Sequence, residues 1–308
     1  MTYAGRSVAM AVTDRTAQPS GPDPDDTAAL EAGLDALETR IVVTTPAWRR
    51  FIAKVVPPLI AIGLVIVAWQ LVYTFGDLDP WQLPSPTDVW SEMSFQIQDG
   101  TLQNAIWISI SKGLIGFAMA IVVAVPIGVL VARLRWLRTA IGPILSALQT
   151  LPSVAWVPLM ILWFGISDTT LYAVILLGAV PSIANGLVAG FDQTPRIYGR
   201  VGKVLGARGW TMVRYIELPA AMPGFIAGLK QGWAFAWRSL MAAEIIVASS
   251  TLGLSLGQLL NIGRDATSVE LTITTISAIL FVGLAVEFLL FAPLERRVLK
   301  ARGLGDQR

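Results

Sequence analysis

Long apolar runs separated by short polar stretches dominate the chain. Six of them, at residues 55–75, 107–132, 141–164, 171–191, 220–248 and 271–293, each reach the roughly 20 residues a helix needs to cross a bilayer's hydrocarbon core. The pattern predicts an all-α integral membrane protein with six transmembrane helices. Ahead of the second run, Ser85, Pro86 and Asp88 read as a cap and first turn, and Val89, Met93 and Ile97 form the apolar stripe of a short helix lying along the membrane surface. Within the second run, Gly116, Ala120, Ala124 and Gly128 recur every four residues, which makes a face for close helix packing. Pro152 and Pro158 fall in the third run and Pro181 in the fourth; such residues persist in a membrane where neighbouring helices or a wet cavity satisfy the freed backbone groups. The middle of the chain therefore reads as a bundle around a pathway.

The first 50 residues are different. Residues 1–24 are rich in Ser, Thr, Pro, Gly and Asp and read as disordered, while Leu30, Leu34, Leu37 and Ile41 recur at helical spacing and predict a short amphipathic surface helix. No basic segment followed by an apolar core and a small-residue cleavage site is visible there, so a retained tail is expected.

Composition supports the membrane reading. Of 308 residues, 54% are hydrophobic and 14% charged, against about 25% charged in an ordinary soluble domain; mean hydropathy is +0.63. There is no His and no Cys, which excludes thiol nucleophiles, His general bases, disulfides and zinc sites with Cys or His ligands. The net charge of +2 matters less than where the cations lie. With the N-terminus inside, the inner flanks hold Arg40, Arg49, Arg50 and Lys54; Arg133, Arg135 and Arg138; Arg196, Arg200, Lys203, Arg208 and Arg214; and Arg296, Arg297, Lys300, Arg302 and Arg308. That is 17 basic residues, against Arg264 alone in the outer loops. The positive-inside rule places both termini in the cytoplasm.

The loop between the fourth and fifth runs is the most informative stretch. Thr194-Pro195 predicts a helix start, Ile197, Val201, Val204 and Leu205 one apolar face, and Gly206 the end. Periodicity alone favours an interfacial helix with Arg196, Arg200 and Lys203 on lipid headgroups. Its surroundings change that reading: Gly206 is followed, after nine residues, by Ile216-Glu217-Leu218-Pro219. This resembles the loop signature of ABC importer permeases, EAA, three residues, Gly, nine residues, Ile-x-Leu-Pro. Arg200, Val201 and Gly202 stand where that signature has Glu, Ala and Ala. Leu83-Pro84-Ser85-Pro86, Leu151-Pro152-Ser153 with Ala155-Trp156-Val157-Pro158-Leu159, Leu162-Trp163-Phe164-Gly165-Ile166, and Glu244 followed by Leu252-Gly253-Leu254 resemble the branch for nitrate, sulfonates, taurine, bicarbonate and thiamine precursors.

The resemblance implies a type I importer permease in a bacterial inner membrane, working as a homodimeric pair and not itself an enzyme, with ATP and Mg on a separate partner ATPase. It implies a cytoplasmic tail at 1–50, a first transmembrane helix and external helix at 51–104, the transmembrane domain at 105–297, and a second tail at 298–308. An external solute-binding protein would deliver a small anion. The loop would be the ATPase-coupling element, through Ile197, Arg200, Val201, Gly202, Val204, Leu205, Gly206, Ile216, Leu218 and Pro219. No Walker A sequence is present, since Gly202-Lys203 is followed by Val204 and Ile197 occupies the position of the first required Gly.

Lys112, Lys230, Arg238, Glu244 and Glu287 lie within or near the apolar runs, where ionised groups are costly unless paired or wet. Lys112 and Lys230 are expected to snorkel toward opposite boundaries. Arg238, with Trp237 and Glu244 beside it, is the candidate for meeting an anion, and Ser153 and Trp156 for lining the pathway. Internal packing is the competing role for Arg238 and the favoured one for Glu244; being six residues apart, the two would each need partners on another helix. A proton-coupled secondary transporter using Glu244 or Glu287 is the alternative function. A membrane-embedded enzyme is disfavoured, because no acidic pair sits at helical spacing within the runs.

Overall fold

In the computed structural model, which describes residues 47–76, 79, 82–247 and 253–300, the elements are helical throughout. The amphipathic segment at Leu30 to Ile41, residues 1–46 and 301–308 of the two expected tails, and Leu252 lie outside the described residues. The chain divides into two units after Leu64, inside the first helix, α1 (Ala47–Phe75). The second unit contains the bundle described below.

Helix α2 (Pro86–Gln98) begins as its sequence dictates: Ser85 Oγ accepts from the Asp88 N–H (3.1 Å), and Asp88 Oδ2 accepts from the Ser85 N–H (3.2 Å). This reciprocal capping satisfies two donors that a helix start leaves orphaned. Then follow α3 (Thr101–Arg133), α4 (Arg135–Thr150), a 3₁₀ turn (Ser153–Trp156), α5 (Val157–Phe164) and α6 (Asp168–Gln193). Beyond these lie α7 (Arg196–Val204), the single turn α8 (Gly209–Met212), a π turn (Val213–Glu217), α9 (Leu218–Ile246), α10 (Leu256–Asp265), α11 (Val269–Val286), a second π turn (Glu287–Phe291) and α12 (Ala292–Lys300).

Helix α6 is the centre of the bundle, packed between α3 and α9, with Val174, Ile175, Ala179, Ile183, Ala184 and Leu187 fully buried. The small-residue stripe of α3 makes that packing possible. A Cβ on Gly116 would stand 2.7 Å from Ile175 Cδ1, and one on Gly128 3.1 Å from the Ala184 carbonyl oxygen. On the far side, α2 rests on α11, where Thr274 Oγ1 donates to the Val89 carbonyl (3.2 Å).

Among the described residues, four helices are long and apolar enough to cross a membrane: 56–75, 101–133, 168–193 and the continuous stretch 269–300. The run at 141–164, expected as one span broken by Pro152 and Pro158, lies in two helical pieces, Arg135–Thr150 and Ser153–Phe164, bent by 99°. Pro152 brings no N–H to the helical ladder, and the chain turns at Leu151 before restarting in the 3₁₀ turn. Pro126 and Pro181, by contrast, sit inside unbroken helices. The 29 residues of α9 make it long enough to span, at about 1.5 Å of rise per residue. Lys230, Gln231, Arg238 and Glu244 interrupt its apolar run.

Candidate functional site

The loop after α6 folds around two glycines. Helix α7 is capped by Pro195 with no side-chain bond, not by Thr194. Thr194 Oγ1 instead donates back to the Gly190 carbonyl (3.0 Å), because α6 runs on to Gln193 and keeps Thr194 as its own terminus. At the other end Gly206 adopts φ +83°, and the Ala207 N–H donates to the Gly202 carbonyl (2.9 Å). A left-handed residue there closes the helix without a Cβ clash.

Gly202 joins the two halves of the loop. It is buried, and a Cβ on it would stand 2.5 Å from Ile216 Cδ1 and 2.7 Å from Met212 Sδ. Ile216 lies in the π turn, and Leu218 and Pro219 start α9, so the loop helix rests on the root of a long bundle helix. The opposite face is uncovered: Ile197, Val201, Val204 and Leu205 are all exposed, Val204 to 86%. Arg200 lines a cavity of about 730 Å³ together with Arg133, Arg196, Lys203, Arg208 and Glu217. Arg133 pairs with Glu217 (2.7 Å), and nearby Arg138 pairs with Asp192 (2.8 Å).

The charges inside the bundle find specific partners. Glu244 is 2% exposed and accepts from Ser109 Oγ on α3 (2.8 Å) and from the Gly257 N–H in the first turn of α10 (3.1 Å). Ser109 Oγ in turn accepts from the Leu256 N–H (3.0 Å). The carboxylate thus sits at the electropositive start of α10 and ties it to α3 and α9. A Cβ on Gly257 would stand 2.4 Å from Glu244 Cβ, so the approach requires glycine. Lys112 pairs with Asp168 (3.0 Å), which joins α3 to α6. Lys230 pairs with Glu287 (3.0 Å) and Glu295 (3.1 Å), which joins α9 to the last helical segment. Both lysines are therefore paired across helices.

Arg238 behaves differently. Its Nε donates to the Ala234 carbonyl of its own helix (3.0 Å), and its guanidinium lies 4.6 Å from the Phe235 ring centre. Among the described residues it makes no ion pair. Trp237 is 7% exposed and stacks on Trp233, while Phe117 meets Trp233 edge-on. Ser153 and Trp156, both half-buried, share the 3₁₀ turn that packs against α9. The five residues expected along the pathway therefore divide between the 3₁₀ turn and α9. Sequence reasoning passed over a second set, Gln149, Ser182, Asn185 and Gln231, which line one cavity. The available signal was their polarity inside apolar runs.

If Glu244 is chiefly a fastener for α10, Glu244→Gln retains an acceptor and is expected to melt close to the parent. Glu244→Leu leaves the Gly257 N–H and Ser109 without it, a loss of about 1–3 kcal/mol per orphaned group. Thermal unfolding of the purified protein in detergent checks this, and equal melting temperatures for the two variants would refute the fastening role.

Residues 124–300 match the family model described as "binding-protein-dependent transport system inner membrane component". The riboflavin transport system permease of Chloroflexus aurantiacus is 29% identical over 263 residues, covering 85% of this chain and 96% of that protein. The taurine transport system permease of Escherichia coli is 27% identical over 197 residues, covering 62% and 72%. An inward-facing structure of the MetNI methionine ABC transporter aligns with a TM-score of 0.55 at 19% identity, covering 64% of this chain and 96% of that chain. The last likeness concerns the fold.

Proposed function

Because the chain belongs to the family of binding-protein-dependent transport system inner membrane components, it is a membrane transport permease, and we propose that it forms the solute pathway of an ATP-driven importer for a small anion of the sulfonate, taurine, nitrate or bicarbonate class. ATP and Mg are assigned to a separate cytoplasmic ATPase under each of two permease copies, and solute delivery to an external binding protein. In this reading both termini are cytoplasmic. Residues 105–297 form the transmembrane domain, 51–104 the first span and external helix, and 1–50 and 298–308 the tails.

One observation carries the coupling assignment: α7 exposes four apolar side chains while Gly202 seats its other face against Met212 and Ile216. An apolar helix face of this kind is a ready seat for a groove on a partner. Its rigid seat on the root of α9 lets a push on α7 become a tilt of a bundle helix, with Gly206, Leu218 and Pro219 fixing the two ends of the lever. Arg200 contributes a cation where the signature has Glu. Arg238, Trp237, Trp156 and Ser153 are assigned to the pathway wall, and Glu244 to its support.

The proton-carrier alternative lacks support: the family is one of binding-protein-dependent systems, Glu287 is paired with Lys230, and Glu244 caps α10. Reconstituted vesicles decide between the two. Uptake of taurine or nitrate is expected only with a co-purified ATPase, the binding protein and ATP. Uptake without the ATPase that an uncoupler abolishes would overturn the importer reading.

A further inference from the structure

Helices α6 and α9 cross backbone against backbone. A Cβ on Gly186 would stand 2.2 Å from Gly228 Cα, and one on Gly224 2.4 Å from Gly190 Cα. Beside this seam lies a cavity of about 360 Å³, lined by Gln149, Ser182, Asn185, Gln193 and Gln231 among small residues and with no ionised side chain. Ser182 is 2% exposed, and its Oγ has no hydrogen-bond partner in the protein. Gln149 Nε2, on the end of α4, is likewise buried and unpartnered. Leaving a buried polar group unpaired costs about 1–3 kcal/mol, so two on one wall mark a place built for a hydrogen-bonding guest.

The geometry points to this cavity as a station on the solute's route that takes an oxoanion group, of the sulfonate or nitrate kind, through neutral N–H and O–H donors. Gln149 Nε2 can only donate, and Ser182 Oγ is free to do so. No carboxylate lines the wall, so a cation would lack a counter-charge there. No fixed cation lines it either: Lys230, next to Gln231 in sequence, is engaged by Glu287 and Glu295. Neutral donors hold an anion without trapping it, which suits a conduit whose sites must release what they bind. The assignment rests on the importer reading.

The chain has no cysteine, so the parent protein is a blank for thiol labelling. Ser182→Cys and Asn185→Cys would be treated in the full chain, in lipid nanodiscs, with three methanethiosulfonates carrying a 2-sulfonatoethyl, a 2-trimethylammonioethyl or a methyl group. In each case the thiolate attacks the sulfenyl sulfur, a mixed disulfide forms and methanesulfinate leaves. Ser239→Cys, at a fully buried serine packed against Gly178, serves as the reference. After correction for each reagent's rate with a free thiol, the sulfonate is expected to outpace the cation by roughly tenfold at 182 and 185, the selectivity that about one hydrogen bond to a charged group supplies. Excess methanesulfonate should slow that labelling. Reactivity no greater than at position 239, a cation preference, or equal rates for all three reagents, as for a cavity that holds only water, would each overturn the station. ATP-linked uptake in vesicles is scored separately: uptake with failed labelling removes the station alone, and selective labelling without ATP-linked uptake removes the importer reading.

Discussion

Replacing Val201 and Leu205 by aspartate is expected to reduce ATP-driven uptake to background while the ATPase continues to hydrolyse ATP. Both side chains lie on the uncovered face of α7, 49% and 76% exposed, so the free permease tolerates a charge at either position. The cost arises on docking. An unpaired carboxylate carried into an apolar groove forfeits its hydration for several kcal/mol, and each 1.4 kcal/mol is about a tenfold loss in occupancy. Uptake and hydrolysis measured in the same vesicle preparation separate the two activities. Unimpaired uptake by the double variant would withdraw the coupling role from this helix.

A comparable loss, by a different route, is expected for Gly186→Ala and Gly228→Ala. Each added methyl would overlap the facing backbone, at 2.2 Å from Gly228 Cα or 2.7 Å from Gly186 Cα. Overpacking usually costs about 1–3 kcal/mol, and backbone cannot swing aside as a side chain does, so these sites belong at the top of that range or above it. The matched control is Gly142→Ala in α4, where no atom lies within 4 Å and a helical alanine is favoured by about 0.5–1 kcal/mol. The fraction of monodisperse protein on size exclusion and its melting temperature report the outcome. Parent-like behaviour of both seam variants would show that α6 and α9 are not in backbone contact.

Much of this architecture was legible along the chain. The capping box at Ser85 and Asp88, the four-residue stripe from Gly116 to Gly128, the helix from Arg196 to Val204 and its end at Gly206 are local features. Each depends on residues within a turn or two of one another, and its physics needs no distant partner. The break at Leu151 was not legible in the same way. Pro126, Pro152 and Pro181 all sit in apolar surroundings, yet the helix turns only at Pro152. A missing N–H weakens the ladder at every proline; the packing around each decides whether the helix bends.

Glu244 shows the same division. Its position in an apolar run marks it as costly and therefore purposeful, which is a one-dimensional inference. That its partners are Ser109 and the start of α10 depends on contacts spanning 135 and 13 positions. The amide-lined cavity needs three helices, α4, α6 and α9, to bring Gln149, Ser182 and Gln231 to one wall. By itself, then, the sequence determined that the chain is helical, apolar enough for a membrane and sorted in its charges, because run length, capping and charge placement are local or additive properties. The tertiary structure alone decided which polar groups meet and which are left facing a cavity, because hydrogen bonds and close backbone approach act over a few ångströms and depend on how distant segments pack.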